Sequence, residues 1–226
     1  VFWVAVIPGL MAVVLLLVGI QEPKRDRPHR AINPIRRDAL ARLGSRYWWV
    51  VGVGAVFTLA RFSESFLVLR ASQLGVPIAW VPLVMVAMNV VYSLSAYPFG
   101  KLSDSMSHRT LLAAGLVVLA TSDLVLALAS DWVGLGLGVA LWGVHMGMTQ
   151  GLLAAMVADT APSDLRGTAF GFFNLLSGIA MLASSVVAGL MWDRFGSEYT
   201  FYAGAAFAGL TLAGMAISAA RDRSAA

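Results

Sequence analysis

The sequence predicts an all-α polytopic membrane protein, a six-helix transmembrane bundle preceded by one transmembrane helix and a basic linker. Three observations carry that prediction. Of 226 residues, 59% are hydrophobic and 12% charged, with a mean hydropathy of +0.78, which is more apolar surface than a soluble domain of this size can bury. The apolar residues gather into seven runs, each near the roughly 20 residues that cross about 30 Å of hydrocarbon. Basic residues gather on alternate connections between those runs.

The first run covers residues 1–20. It opens at Val1 without Met or a basic leader, so we expect a fragment whose N-terminal part is missing. Residues 21–46 form a basic segment punctuated by Pro23, Pro28 and Pro34. Six more runs follow, at about 47–69, 78–98, 110–130, 132–157, 167–191 and 199–220, leaving 221–226 as a tail. The run 47–69 contains Arg61 and Glu64, and 110–130 contains Asp123; charges inside hydrocarbon are costly enough to require a partner or a function. Glycines recur every four residues at Gly143, Gly147 and Gly151, at Gly134 and Gly138, and at Gly167 and Gly171. Such spacing predicts helix faces that admit a neighbouring backbone.

Orientation follows from the short connections, because Lys and Arg remain cytoplasmic during insertion. Lys24, Arg25, Arg27, Arg30, Arg36, Arg37, Arg42 and Arg46 lie in the linker, Lys101, Arg109 and Arg166 in alternate loops, and Arg221 and Arg223 in the tail. The opposite side has Arg70 and Arg194. The linker, these loops and the C-terminus are therefore expected in the cytoplasm. The net charge of +4 reads as a topology signal, and no nucleic-acid partner is expected. The chain has no Cys, which excludes disulfides and Cys-ligated metal sites. Neither a cofactor nor a metal is expected.

Gly100-Lys101-Leu102-Ser103-Asp104-Ser105-Met106-Ser107-His108-Arg109 forms a charged ten-residue loop between two spans. It resembles the signature G-x-x-x-D-[RK]-x-G-[RK]-R of the major facilitator superfamily, with Gly100, Asp104, His108 and Arg109 on matching positions. Ser105 and Ser107 depart from it. The stretch from Asp159 through Pro162, Arg166 and Gly167 to Gly171 resembles the family's P-x-x-x-R-G-x-x-x-G loop, and Ser163 or Asp164 is expected to cap the following helix. The resemblance implies that residues 1–20 are the sixth helix of a twelve-helix transporter, 21–46 its cytoplasmic connection and 47–220 the seventh to twelfth helices. It also implies a missing N-terminal six-helix half. Gly100, Asp104, His108, Arg109, Asp159 and Arg166 then belong to a cytoplasmic gate, although an ordinary capped turn accounts equally for the second loop.

Counting along each helix, Arg61 and Glu64 lie about 21 and 25 Å from Tyr47, and Asp123 about 20 Å from Thr110, in one outer layer. His145 lies about 20 Å from Trp132 and Asn174 about 10 Å from Gly167, in an inner layer, with Asn89 between the two. Arg61 and Glu64 share a helical face and can pair, as can Trp142, His145 and Thr149. The alternative is structural: an ion pair for the first two, and a hydrogen-bonded core residue for His145. The family lines its cavity with its first, fourth, seventh and tenth helices, so the resemblance favours Arg61 and Glu64 on the seventh and His145, with Trp142 and Thr149 on its face, on the tenth; with Asn89 and Asn174 of the polar layers these are the expected substrate and proton pathway. Asp123, on the ninth, is expected to be structural or a proton site.

The expected activity is proton-coupled transport of a small organic solute or drug-like compound by alternating access, in a bacterial inner membrane. A non-transporting scaffold or receptor of the same fold is the alternative. No P-loop occurs, Ser177-Gly178 lacks the preceding glycine of a rhomboid nucleophile, and Asp123 follows Thr121-Ser122 rather than Gly-x-Gly. An enzyme is therefore not expected.

Overall fold

The computed structural model describes residues 2–19 and 40–224, with side chains described for 6–19 and 40–217. The linker expected over 21–46 lies outside the described residues as far as residue 39, as do residues 225 and 226 of the tail. Two compact units divide the chain, residues 1–33 and 34–226. In the first, α1 (Phe2–Gly19) is an apolar helix containing Pro8.

The second unit holds α2 (Ser45–Ala60), α3 (Ser65–Gln73), α4 (Val81–Ser103), α5 (His108–Leu128), α6 (Trp132–Thr160), α7 (Arg166–Phe195) and α8 (Ser197–Ser224). Six spans long and apolar enough to cross a membrane result, α2 and α3 together forming the first. The protein is thus an all-α integral membrane protein. Local sequence sets the ends. Ser107 caps α5 by accepting the Thr110 N–H at 3.2 Å, and Asp131 caps α6 by accepting that of Gly134 at 2.8 Å. Gly75, at φ +77°, closes α3 while the Val76 N–H returns to the Ala71 carbonyl at 3.1 Å, a left-handed helix stop. Gly196, at φ +108°, turns the chain from α7 straight into α8.

Helix α6 packs most extensively, against α4 and α5; α5 also packs on α8, and α2 on α7 and α8. Trp142, Tyr47, Phe201, Met88 and Leu116 are fully buried in the resulting core. The glycine face works as expected at Gly143 and Gly147, where a Cβ would run into the α4 backbone: on Gly143 it would lie 2.6 Å from the Met88 carbonyl oxygen. Gly138 is closed by the Leu126 side chain, whereas Gly151, Gly167 and Gly171 face open space. The last three are not packing contacts among the described residues.

Four expectations need correcting. The run 47–69 is not one helix; it breaks at residues 61–64. The ten-residue loop shrinks to a turn over 104–107, with Gly100 inside α4 and His108 opening α5. Helix α8 continues to Ser224 rather than ending near 220. Neither Ser163 nor Asp164 caps α7; they form a short 3-10 turn, Ser163–Leu165, and Leu165 precedes the helix without a side-chain cap. Asp164 is engaged instead by Arg42, whose guanidinium donates to its carboxylate at 2.7 Å.

Candidate functional site

The break between α2 and α3 organises the candidate site. Arg61 leaves the helix with φ −110° and ψ 96°, its N–H tightening onto the Thr58 carbonyl at 3.1 Å. Ser63 then restarts the helix by accepting the Ser65 N–H on its hydroxyl at 3.3 Å. Ser63, Glu64 and Ser65 in succession supply the side chains that compete with helical hydrogen bonding. Non-helical backbone at membrane depth is tolerated where protein buries it or where it lines a cavity. Here Phe62 buries it, at the centre of an aromatic cluster with Phe66, Trp142 and Phe201 at 5.3, 5.3 and 5.6 Å between ring centroids.

Across the break, the Arg61 guanidinium lies 3.9 Å from the Glu64 carboxylate, an ion pair too long for a hydrogen bond, with both side chains partly exposed. His145 is fully buried; its Nδ1 donates to the Gly115 carbonyl at 2.8 Å, Phe57 stacks on the ring at 5.4 Å, and Nε2 has no partner among the described residues. Thr149, also buried, donates back to the His145 carbonyl at 2.8 Å. Trp142 is buried, and its Nε1 has no partner among the described residues.

Asp123 is fully buried, and among the described residues neither carboxylate oxygen has a partner. It abuts Gly204 on α8, at the same place as the Phe62 ring, which sets it at the level of the break. Asn89 and Asn174 stand apart, exposed on α4 and α7; Asn89 donates to the Met85 carbonyl of its own helix at 2.8 Å. Arg61, Glu64, Trp142, His145 and Thr149 therefore form one neighbourhood, Asp123 adjoins it through Phe62, and the two asparagines lie outside it.

The other sequence-predicted residues cluster at the opposite end of α2. His108 Nδ1 lies 4.0 Å from the Asp159 carboxylate, and the Arg109 guanidinium lies over the Trp49 ring at 4.4 Å. Gly100, Asp104 and Arg166 are exposed and do not join this group; no described residue pairs with the Asp104 carboxylate. Sequence reasoning missed Phe62, signalled only by its place in Arg-Phe-Ser-Glu-Ser, and Arg70, which was counted as a loop charge. Arg70 is buried and holds the C-terminal end of α5 to α3 and α8.

Comparison with known proteins agrees with this architecture. The sequence model of the Major Facilitator Superfamily matches residues 1–177 and 65–225. An uncharacterized MFS-type transporter of Methanocaldococcus jannaschii is 29% identical over 195 residues, 81% of this chain and 48% of the relative. The inner membrane transport protein YajR of Escherichia coli is 27% identical over 67% of this chain and 34% of its own length. The quinolone resistance protein NorA of Staphylococcus aureus is 22% identical over 69% and 38%. The chain spans about half the length of these relatives, or less.

Proposed function

The chain belongs to the major facilitator superfamily, and on that premise we propose that it forms the C-terminal half of a secondary active transporter moving a small organic solute or drug-like compound by alternating access. The observation that carries this reading is the interrupted span Ser45–Gln73, in which a partly exposed Arg61–Glu64 pair sits at the break. Discontinuous helices near mid-membrane present half-helix ends and charges to a solute while neighbouring elements move. Protons supply the drive in this reading, with Glu64 as carrier and His145 and Asp123 as the other protonatable groups of the layer. Asp104, His108, Arg109, Asp159 and Arg166 act at the cytoplasmic gate. A drug-like substrate is supported by the quinolone-resistance relative. A bacterial inner membrane with the C-terminus inside is supported by the Escherichia coli relative and by the alternation of Lys and Arg.

The test uses the protein joined to its N-terminal six-helix half, reconstituted in proteoliposomes with a fluoroquinolone whose fluorescence reports its movement. A pH gradient should drive accumulation, and Glu64→Gln should abolish accumulation while leaving exchange in place. No flux of any offered solute, with correct folding, would favour a scaffold of the same fold. Intact pH-driven accumulation in Glu64→Gln would remove Glu64 as the proton carrier.

A further inference from the structure

Two concavities meet at Trp49. One, of about 270 Å³, opens where the spans end: Arg46 stands at the start of α2, His108 and Arg109 at the start of α5, and Asp159 at the end of α6. Among the described residues, its wall carries two guanidinium groups and an imidazole against one carboxylate. The other, of about 300 Å³, runs between α2 and α8 and is apolar, with Val56, Leu210 and Met215 along it and Gly52 and Gly214 as its floor. Trp49 lines both, and the Arg109 guanidinium lies over its ring at the junction.

We propose that these two concavities are one site for an anionic phospholipid, the headgroup phosphate held by Arg46, Arg109 and His108 and an acyl chain lying in the α2–α8 groove. The pairing of a cationic pocket with an apolar groove distinguishes this ligand from a soluble anion, which has nothing to place in the groove, and from a neutral lipid, which gains little from the cations. The level is also right, since span ends and an amphipathic Trp mark the headgroup region, and basic pockets between helices at that level are the recognised geometry for acidic headgroups. The groove has room: a Cβ on Gly52 or Gly214 would meet nothing within 4 Å. A side chain can therefore start from either glycine without its Cβ displacing a described neighbour. Because Arg109 and His108 belong to the gate region, a lipid here would sit against the α5 start and bias its position. Binding itself does not depend on the transport reading.

The full protein, purified in non-ionic detergent, is offered dioleoylphosphatidylglycerol or dioleoylphosphatidylcholine, and retained lipid is counted by native mass spectrometry. Phosphatidylglycerol should be retained over phosphatidylcholine. Arg46→Gln and Arg109→Gln should each weaken that retention about fivefold, the scale for one cation near an anionic surface. Arg194→Gln, at the other membrane face, should not. Gly52→Leu with Gly214→Leu should displace the long-chain lipid while leaving the weak binding of dihexanoylphosphatidylglycerol in place. Equal retention of the two headgroups, or full retention in the arginine variants, overturns the proposal. Displacement of the long-chain lipid by millimolar inorganic phosphate also overturns it and assigns the pocket to a soluble anion. Arg46 and Arg109 are exposed, so the arginine arm stands even if the glycine variants fold poorly.

Discussion

Replacing Arg70 with Met keeps an unbranched chain and removes every donor. In the parent, Nε donates to the Leu126 carbonyl at 3.1 Å and Nη2 to those of Ala127 and Ala129 at 3.2 and 2.9 Å. Nη1 reaches Ser197 at 2.6 Å, Gln73 at 2.9 Å and the Glu198 carboxylate at 3.4 Å. Three of these acceptors are carbonyls at the C-terminal end of α5, where a helix leaves its own acceptors unpaired. The guanidinium also meets the negative end of the α5 dipole. With the side chain only 4% exposed, water cannot replace it. Summing these bonds at about 1.5–3 kcal/mol each would overshoot, because the folded protein already bears the desolvation of a guanidinium. Removing one partner from a buried charged network costs about 3–5 kcal/mol. At about 2–4 °C per kcal/mol for a chain of this size, the midpoint should fall by roughly 6–20 °C. Intrinsic Trp fluorescence during heating in detergent reads this out. Arg70→Lys keeps the charge but not the fork and should fall between. A drop of about 2 °C or less in Arg70→Met, at equal helicity, would refute the view that Arg70 fastens α3, α5 and α8.

Other substitutions test other parts of the structure. Gly143→Val should cost about 1–3 kcal/mol, because its Cβ would press on the α4 backbone; Gly151→Ala, facing open space, should be neutral or slightly stabilising in the same melt. Arg61→Gln and Glu64→Gln should each lower the yield of folded protein, the double variant recovering part of it if pairing is the structural need; size-exclusion profiles of all three decide. Asp104→Ala should change the melting midpoint by no more than about 2 °C, because the side chain is exposed. Reduced turnover of the full-length protein at that unchanged midpoint would assign Asp104 to the gate, and unchanged turnover would reduce it to a surface residue.

The spans were legible because a bilayer imposes length and apolarity together, and some helix ends are marked locally, as at Ser107, Asp131 and Gly196. The break at 61–64 was not, because Arg61 and Glu64 three residues apart satisfy a helical face as readily as a break. Ser63, Glu64 and Ser65 weaken the helix locally, and the packing of Phe62 among residues from α3, α6 and α8 accompanies the break. Arg70 was misread for a similar reason. A basic residue near the end of an apolar run is a topology signal in sequence, and its burial depends on the C-terminal end of α5, more than fifty residues away. Asp104 shows the converse: the motif spacing was plain, yet the turn leaves its carboxylate exposed and gathers His108, Arg109 and Asp159 beside Trp49 instead.

The two least buried spans bear on what surrounds the second unit. Helices α4 and α7 expose long apolar faces, with Val86, Val90 and Leu94 on one and Leu175, Ile179 and Leu182 on the other. Within those faces stand single amides, Asn89 and Asn174. Asn89 satisfies one donor on its own helix, but a carboxamide retains further donor and acceptor capacity that lipid chains cannot meet. Leu or Val at the same positions would suit lipid better. An amide isolated on an apolar face at membrane depth is better accounted for by a second protein surface or a hydrated path against α4 and α7, which is the arrangement the proposed twelve-helix transporter requires. Arg61 and Glu64 are partly exposed at the break, and the same reasoning applies to the exposed part of each, because a charge in hydrocarbon costs more than an amide does.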